Sequence, residues 1–132
     1  MGIPSFAISV ASYEAEHFDT AARFAGRLAR EIQRRGLPPG TFLNVNVPDL
    51  PEAEIAGVEV TRQGRCRYSG RLEKRTDLRG RTYYWLGGDV QEMGSREGTD
   101  LAAIAANRIS ITPVQLDLTH HEFLAEMRSW QL

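Results

Sequence analysis

Residues Ile3 to Val10 read Ile-Pro-Ser-Phe-Ala-Ile-Ser-Val, a nearly continuous apolar run of strand length, and a helical pattern and a second strand follow. Strands of that kind are buried on both faces of a parallel sheet. A lone pair of them leaves an unpaired edge and uncovered apolar faces. The sheet is therefore expected to need strands beyond those visible here, and the chain reads as starting in the middle of a fold. At 132 residues, 42% of them apolar and 25% charged, it can bury a real core as one domain or part of one. No apolar run approaches membrane-spanning length and no basic, apolar leader suggests export, so no membrane partner and a cytoplasmic location are expected.

After the first strand, Phe18, Ala21, Ala25, Leu28, Ala29 and Ile32 follow the three-and-four spacing of one helix face, with Arg23, Arg27, Arg30 and Arg34 on the other. Gly36 and Pro38-Pro39 end that helix. The segment Thr41 to Pro48 alternates, placing Leu43, Val45 and Val47 on one side and Phe42, Asn44 and Asn46 on the other. Strand, helix, strand at this spacing predicts a right-handed parallel crossover. Two Asn in such a strand are costly unless hydrogen-bonded, so they either tie down backbone or face a site.

Beyond Pro51 the character changes to strands and turns. Val58-Glu59-Val60-Thr61 alternates, and the segments Arg71 to Arg75 and Arg81 to Leu86 flank Thr76-Asp77-Leu78-Arg79-Gly80, which predicts a hairpin with Gly80 at a positive φ. The aromatic strand, with Tyr83, Tyr84 and Trp85, is too apolar to stand free in water and is expected to pack on another element or another subunit. Thr99 or Gly98 can cap a short helix over Leu101 to Ala106. Arg108 to Thr112 alternates as a strand stopped by Pro113. Thr119 and Glu122 have capping-box spacing, predicting a terminal helix from about His120 to Trp130 with an apolar stripe of Phe123, Met127 and Trp130.

Charge is unevenly spread. From Arg62 to Arg81 eight basic residues face two acids, although the whole chain carries a net charge of −1. That stretch could bind phosphate or nucleic acid. A solvated hairpin face, or a face pairing with acids of another subunit, is the plainer reading. Cys66 is the sole cysteine and has no obvious His or carboxylate partner nearby, which argues against a nucleophile. His120 and His121 point about 100° apart on a helix and do not readily share a metal. There is no phosphate-binding glycine loop, no paired-cysteine metal spacing and no nucleophile elbow. Residue by residue, the chain yields a partial α/β domain with a basic hairpin and no visible reaction centre.

The order of six blocks supplies more. Gly2-Ile3-Pro4-Ser5, Phe42 to Asp49, Thr61-Arg62, Asp77 to Gly88, Glu97-Gly98-Thr99-Asp100 and Ser110 to Thr119 together resemble the C-terminal half of the SurE survival proteins, metal-dependent 5'/3'-nucleotidases that remove phosphate from nucleoside monophosphates. The resemblance covers essentially the whole chain. It implies an α/β fold: the C-terminal part of a Rossmann-like SurE sheet with an extended β-hairpin arm and a C-terminal helix. Within 1–132 it implies sheet strands and a crossover helix over 1–50, strands and the hairpin arm over 58–90, and helix, strand and terminal helix over 98–132.

The family's divalent metal, magnesium or manganese, is held by an Asp-Asp pair, a Ser and an Asn upstream of the segment resembling Ile3 onward, and no Asp-Asp pair occurs here. No catalytic residue and no metal ligand therefore carries over to a position of this chain, which is expected to be inactive and metal-free alone. What carries over is assembly: a homo-oligomer, dimer or tetramer, with Tyr83, Tyr84 and Trp85 on the arm and Phe123, Met127 and Trp130 packing in an exchanged terminal helix. Ligands of open α/β sheets lie outside the carboxyl ends of parallel strands. Ser9, Ser12 and Asn46 thus fall at the end where they could support or contact a nucleoside monophosphate, ordinary strand-end hydrogen bonding being the plainer reading. The alternatives are a non-catalytic oligomerisation module and, more weakly supported, an anion- or RNA-binding module using the basic hairpin.

Overall fold

A computed structural model of the chain describes residues 2–88, 90–93 and 97–131. Its elements are β1 (Phe6–Val10), α1 (Phe18–Arg35), β2 (Thr41–Val47), a single 3-10 turn (Glu52–Glu54), β3 (Val58–Val60), β4 (Arg65–Tyr68), β5 (Arg71–Thr76), β6 (Thr82–Gly87), β7 (Val90–Met93), α2 (Asp100–Ala105), β8 (Ile109–Gln115) and α3 (His121–Met127). Met1, Asp89 and Leu132, which fall within the regions expected from the sequence, lie outside the described residues.

β1, β2, β8 and β3 form one mixed sheet in that order. β1 and β2 are parallel, joined through α1, while β8 runs antiparallel to β2 and β3 runs parallel to β8. Register puts Phe6, Ile8 and Val10 beside Leu43, Val45 and Val47 on one face. α1 covers that face: Ala21 and Phe24 pack with Val45, Val47 and Ile109, and Ile8, Val10, Leu28 and Ile111 flank them. Burying each large aliphatic or aromatic side chain there contributes roughly 1.5–3 kcal/mol. The opposite face carries Asn44, Asn46, Ser110 and Thr112, and α2 packs on β8 and β2. Asn44 and Asn46 thus share a face opposite the aliphatic residues, as period-two geometry requires.

α1 ends where Gly36 turns to φ 75° and donates its N–H to the Ile32 carbonyl at 2.7 Å. Arg34 and Arg35 both reach Glu31 at 2.8 Å and offset the negative end of the helix. α2 starts at Thr99, whose Oγ1 accepts from the Ala102 N–H at 3.1 Å. The preceding approach is tight: Gly64 donates to Asp100 Oδ1 at 2.8 Å, and a Cβ on Gly64 would lie 2.8 Å from Leu101 Cδ1.

Two sequence expectations change. β8 continues through Pro113 to Gln115 instead of stopping. Leu43 donates its N–H to Ser5 across the β1 side, so it is Phe42, Asn44 and Asn46 whose backbone groups face β8. Pro113, opposite Leu43, consequently faces away from β2, beyond the end of β3, where a missing N–H costs no ladder bond. The terminal helix is shorter than expected and is capped by His120, whose Nδ1 accepts from Phe123 N–H at 3.1 Å. Thr119 is not the cap, because Asp117 Oδ1 takes its N–H at 2.9 Å and holds it in the preceding turn. β3 and β8 complete the sheet begun by β1 and β2.

The remaining strands form two separate ribbons, β4 with β7 and β5 with β6. In the β5–β6 turn Asp77 Oδ1 accepts from Arg79 and Arg81 N–H at 2.9 and 2.8 Å, and Gly80 takes φ 78°. Leu72, Tyr83, Tyr84, Trp85 and Leu86 all face solvent. In the tail, Phe123 stacks edge-on against Trp130 with ring centroids 5.7 Å apart, and Met127 remains exposed beside them.

Candidate functional site

At the carboxyl ends of β1 and β2, a row of polar side chains crosses all four strands of the sheet. Ser9 on β1 lies beside Asn46 on β2, Asn46 beside Ser110 on β8, and Ser110 beside Glu59 on β3. Asn46 Nδ2 donates weakly to Ser110 Oγ at 3.5 Å. Ser110 is fully buried, Asn46 and Glu59 are half-buried, and Ser9 is open. One row further in, the buried Thr61 and Thr112 hydroxyls meet at 2.7 Å. Behind the row, α2 closes the β8 end and leaves the β1 end accessible.

The loops at that end are tied to the helix by one carboxylate. Asp49, just past β2, accepts from Glu16 N–H at 3.0 Å, His17 N–H at 2.8 Å and His17 Nδ1 at 3.1 Å. His17 caps α1 without a side-chain bond of its own, so Asp49 does the capping from 32 residues away. The His17 backbone N–H, followed by that of Glu16 and the imidazole, holds the Asp49 carboxyl below its ordinary value. Thr20 Oγ1 adds a bond to the Leu50 carbonyl at 2.9 Å. β1 itself is fastened by Ala11 N–H to the Val47 carbonyl at 2.8 Å. The sequence contains Asp49 at the end of an alternating strand, but nothing local marks it as the partner of a distant helix. Glu59 was legible in the alternation of Val58 to Thr61.

The structure thus brings Ser9 and Asn46 together at the carboxyl end and places Ser12 in the exposed loop that follows β1. Ser12 Oγ accepts from Glu14 N–H at 3.2 Å in an exposed turn, which is local loop chemistry. His121 does not face a metal cluster: its Nε2 pairs with Asp117 at 2.6 Å, and this contact together with the Thr119 N–H pulls the Asp117 carboxyl down to about 2. Among the described residues no three His, Cys, Asp or Glu side chains converge as a metal site. No helix among them is long and apolar enough to cross a membrane.

Comparison with known proteins decides the family. The family model "Survival protein SurE" matches residues 1–70, which takes in β1, α1, β2, β3 and β4.

The chain belongs to the SurE family.

Relatives named 5'-nucleotidase SurE match it almost from end to end. That of Heliobacterium modesticaldum is 46% identical over 129 residues, covering 98% of this chain and 47% of the relative, and that of Geobacter sulfurreducens is 48% identical over 133 residues, covering 100% and 51%. The crystal structure of the SurE protein from Aquifex aeolicus superposes with a TM-score of 0.74 at 36% identity, over 96% of this chain and 51% of that one. This SurE chain therefore spans about half the length of the relatives it matches, and its mixed α/β architecture is that of the SurE structure.

Proposed function

We propose that this SurE chain is the C-terminal part of a cytoplasmic 5'/3'-nucleotidase that hydrolyses nucleoside monophosphates to nucleoside and phosphate. The observation that carries the reading is the near-complete match to relatives named 5'-nucleotidase, confined to about half of each. In this reading the four-stranded sheet is scaffold, and Ser9 and Asn46 offer hydroxyl and amide groups on the substrate side of its carboxyl end, where open α/β sheets receive ligands. The magnesium or manganese implied by the family does not fit the donors described here. Asp49 and Asp117 already accept several N–H bonds each, and a hard divalent cation needs several oxygens converging on one point. No step is assigned to it.

A chimera tests the reading. Residues 1–132 replace the matching half of the Geobacter sulfurreducens 5'-nucleotidase, and phosphate release from nucleoside monophosphates is measured. Release comparable to the parent is expected, with Asn46→Ala raising KM more than it lowers kcat. A folded chimera without phosphate release would overturn the assignment.

The exposed ribbon and tail favour self-association alongside this reading. On β5–β6 the aromatic residues Tyr83, Tyr84 and Trp85 lie between charged side chains, a composition suited to an interface core with a polar rim. A dimer or tetramer formed through this ribbon, with Phe123, Met127 and Trp130 packing on a second copy, is the assembly we assign. Light scattering of the chain lacking residues 71–86 should give a smaller particle with unchanged RNA retention.

A further inference from the structure

The outward face of α1 carries an arginine at each turn: Arg23, Arg27, Arg30 and Arg34 follow one another along the helix, with Arg35 beside the last. Such side chains ordinarily end on a carboxylate three or four residues away. Arg23 reaches Asp19 at 3.2 Å, and Arg34 and Arg35 share Glu31 at 2.8 Å each. From the turn after β2, Glu52 lies 3.2 Å from Arg27 and 3.7 Å from Arg23. Arg30 stands in the middle of the row and forms no ion pair among the described residues.

These side chains flank a cleft of about 400 Å³, lined by Ala22, Arg23, Gly26, Arg27, Arg30 and Glu52. Gly26 opens it. A Cβ at that position would meet Arg30 Nη1 at 3.8 Å, so the Arg30 guanidinium lies over bare backbone. The Arg27 guanidinium is held in place from beneath, 5.6 Å from the ring centroid of Phe24, which is itself buried in the core. Three guanidiniums thus line one notch against a single carboxylate. Glu52 marks what the notch accepts, because its carboxylate is an oxyanion already seated beside two of them. α1 covers the aliphatic face of the sheet, so the notch is on the other side of the sheet from the row of Asn46 and Ser110.

We propose that this notch is a binding site for the di- or triphosphate group of a small molecule, held by Arg23, Arg27 and Arg30 over Gly26. The planar fork of arginine matches phosphate oxygens two at a time. A monophosphate carries a charge of about −2, which two guanidiniums neutralise, and the third leaves room for a second phosphate. The carboxylates at either end of the row favour a compact ligand: Asp19 stands beside Arg23, and Glu31 beside Arg34 and Arg35, so an extended polyanion would meet negative charge on both sides. Glu52 is a weak competitor. Its partners are solvent-exposed, and exposed ion pairs of this kind exchange readily. Arg30 receives the ligand first, and Arg27 and Arg23 follow as Glu52 gives way. The site makes no use of the nucleotidase reading, and it takes a different class of phosphate compound from the monophosphates proposed there.

The test titrates the 132-residue chain, free of divalent metal, with inorganic pyrophosphate, a nucleoside diphosphate and orthophosphate, following the Gly26 amide and the arginine Nε–H signals by nuclear magnetic resonance. Saturable shifts at Gly26, Arg27 and Arg30 are expected, with pyrophosphate bound about tenfold more tightly than orthophosphate and the affinity falling as salt is raised. Equal affinity for pyrophosphate and the nucleoside diphosphate upholds the site as one for the phosphate group alone, and tighter binding of the nucleotide upholds it as a nucleotide site. Arg30→Gln should weaken binding about tenfold with the circular dichroism of the chain unchanged. Glu52→Gln, which removes the competing carboxylate, should strengthen it about threefold. Shifts that never saturate, shifts centred on Arg62 to Arg81 instead of α1, or an Arg30→Gln chain that binds like the parent overturn the proposal. So does weaker binding by Glu52→Gln, or tighter binding of an RNA oligonucleotide than of pyrophosphate at the same residues, which would make the row a polymer contact.

Discussion

Val45 and Val47 are fully buried between α1 and the flanking strands, whereas Trp85, at the centre of the β5–β6 ribbon, is 60% exposed. Both regions are built from well-registered strands, with six residue pairs in the β5–β6 ladder and six in the β2–β8 ladder. Backbone pairing is therefore not what separates them. The sheet has a helix to receive its apolar face, and the ribbon leaves side chains of the same kind exposed. A two-stranded ribbon is at best marginally stable by itself in water. Its order in a working protein depends on what covers it, while the sheet supplies its own core on the α1 side.

The largest test of that contrast is a buried charge. Val45→Asp places an unpaired carboxylate in the core and should destabilise by several kcal/mol, on the order of 3 or more, abolishing cooperative unfolding in a denaturant titration. Trp85→Ala removes a larger side chain but should shift the same midpoint by no more than about 0.5 kcal/mol. Equal effects would mean the ribbon belongs to the folding unit.

Next comes the hydroxyl pair under α2. Thr61→Val or Thr112→Val alone leaves one buried hydroxyl without its partner at 2.7 Å, costing about 1–3 kcal/mol. The double substitution should be less damaging than the sum, and strict additivity would show that the two hydroxyls do not depend on each other. A smaller loss is expected at the α2 cap: Thr99→Ala should cost about 1 kcal/mol, read as an earlier thermal midpoint.

The mildest comparison sets two carboxylates against each other in acid. Asp49 and Asp117 both have carboxyls held below the ordinary aspartate range in the folded state. Each therefore contributes stability that is present above that range and is lost as pH falls through the folded-state value. Asp49 joins α1 to the β2 loop, so acidification below about pH 4 should weaken the whole sheet-and-helix unit. Asp117 joins only the turn before α3, so near pH 2 its protonation should reduce local helicity of the tail with no effect on the core. Aromatic near-ultraviolet signals that separate Phe24 from Trp130, with selective substitution of each, report the two events. A single transition common to both would sink the distinction.

Several elements were legible locally because their signals repeat at short range. The three-and-four spacing from Phe18 to Ile32 defined α1, the alternation of Leu43, Val45 and Val47 defined β2, and Asp77 with Gly80 defined the hairpin turn. Pro113 misled because a proline stops a strand only where its missing N–H faces a partner, and that direction depends on which strand lies on which side. Thr119 misled for a related reason: Asp117 competes for its backbone, so the cap moves to His120.

The sequence by itself determined the family, the elements whose patterns repeat locally and the alternation that put Asn44 and Asn46 on one face, but not the β4–β7 ribbon. It also carried the surplus of apolar strand surface at β1. Only the tertiary structure decided that β8 enters between β2 and β3, that Ser9, Asn46, Ser110 and Glu59 form one row, and that Asp49 holds the helix N-cap His17, 32 residues earlier. Those are pairings between residues far apart in the chain. Local periodicity carries no record of them, because their partners are chosen by strand order and packing after the elements have formed.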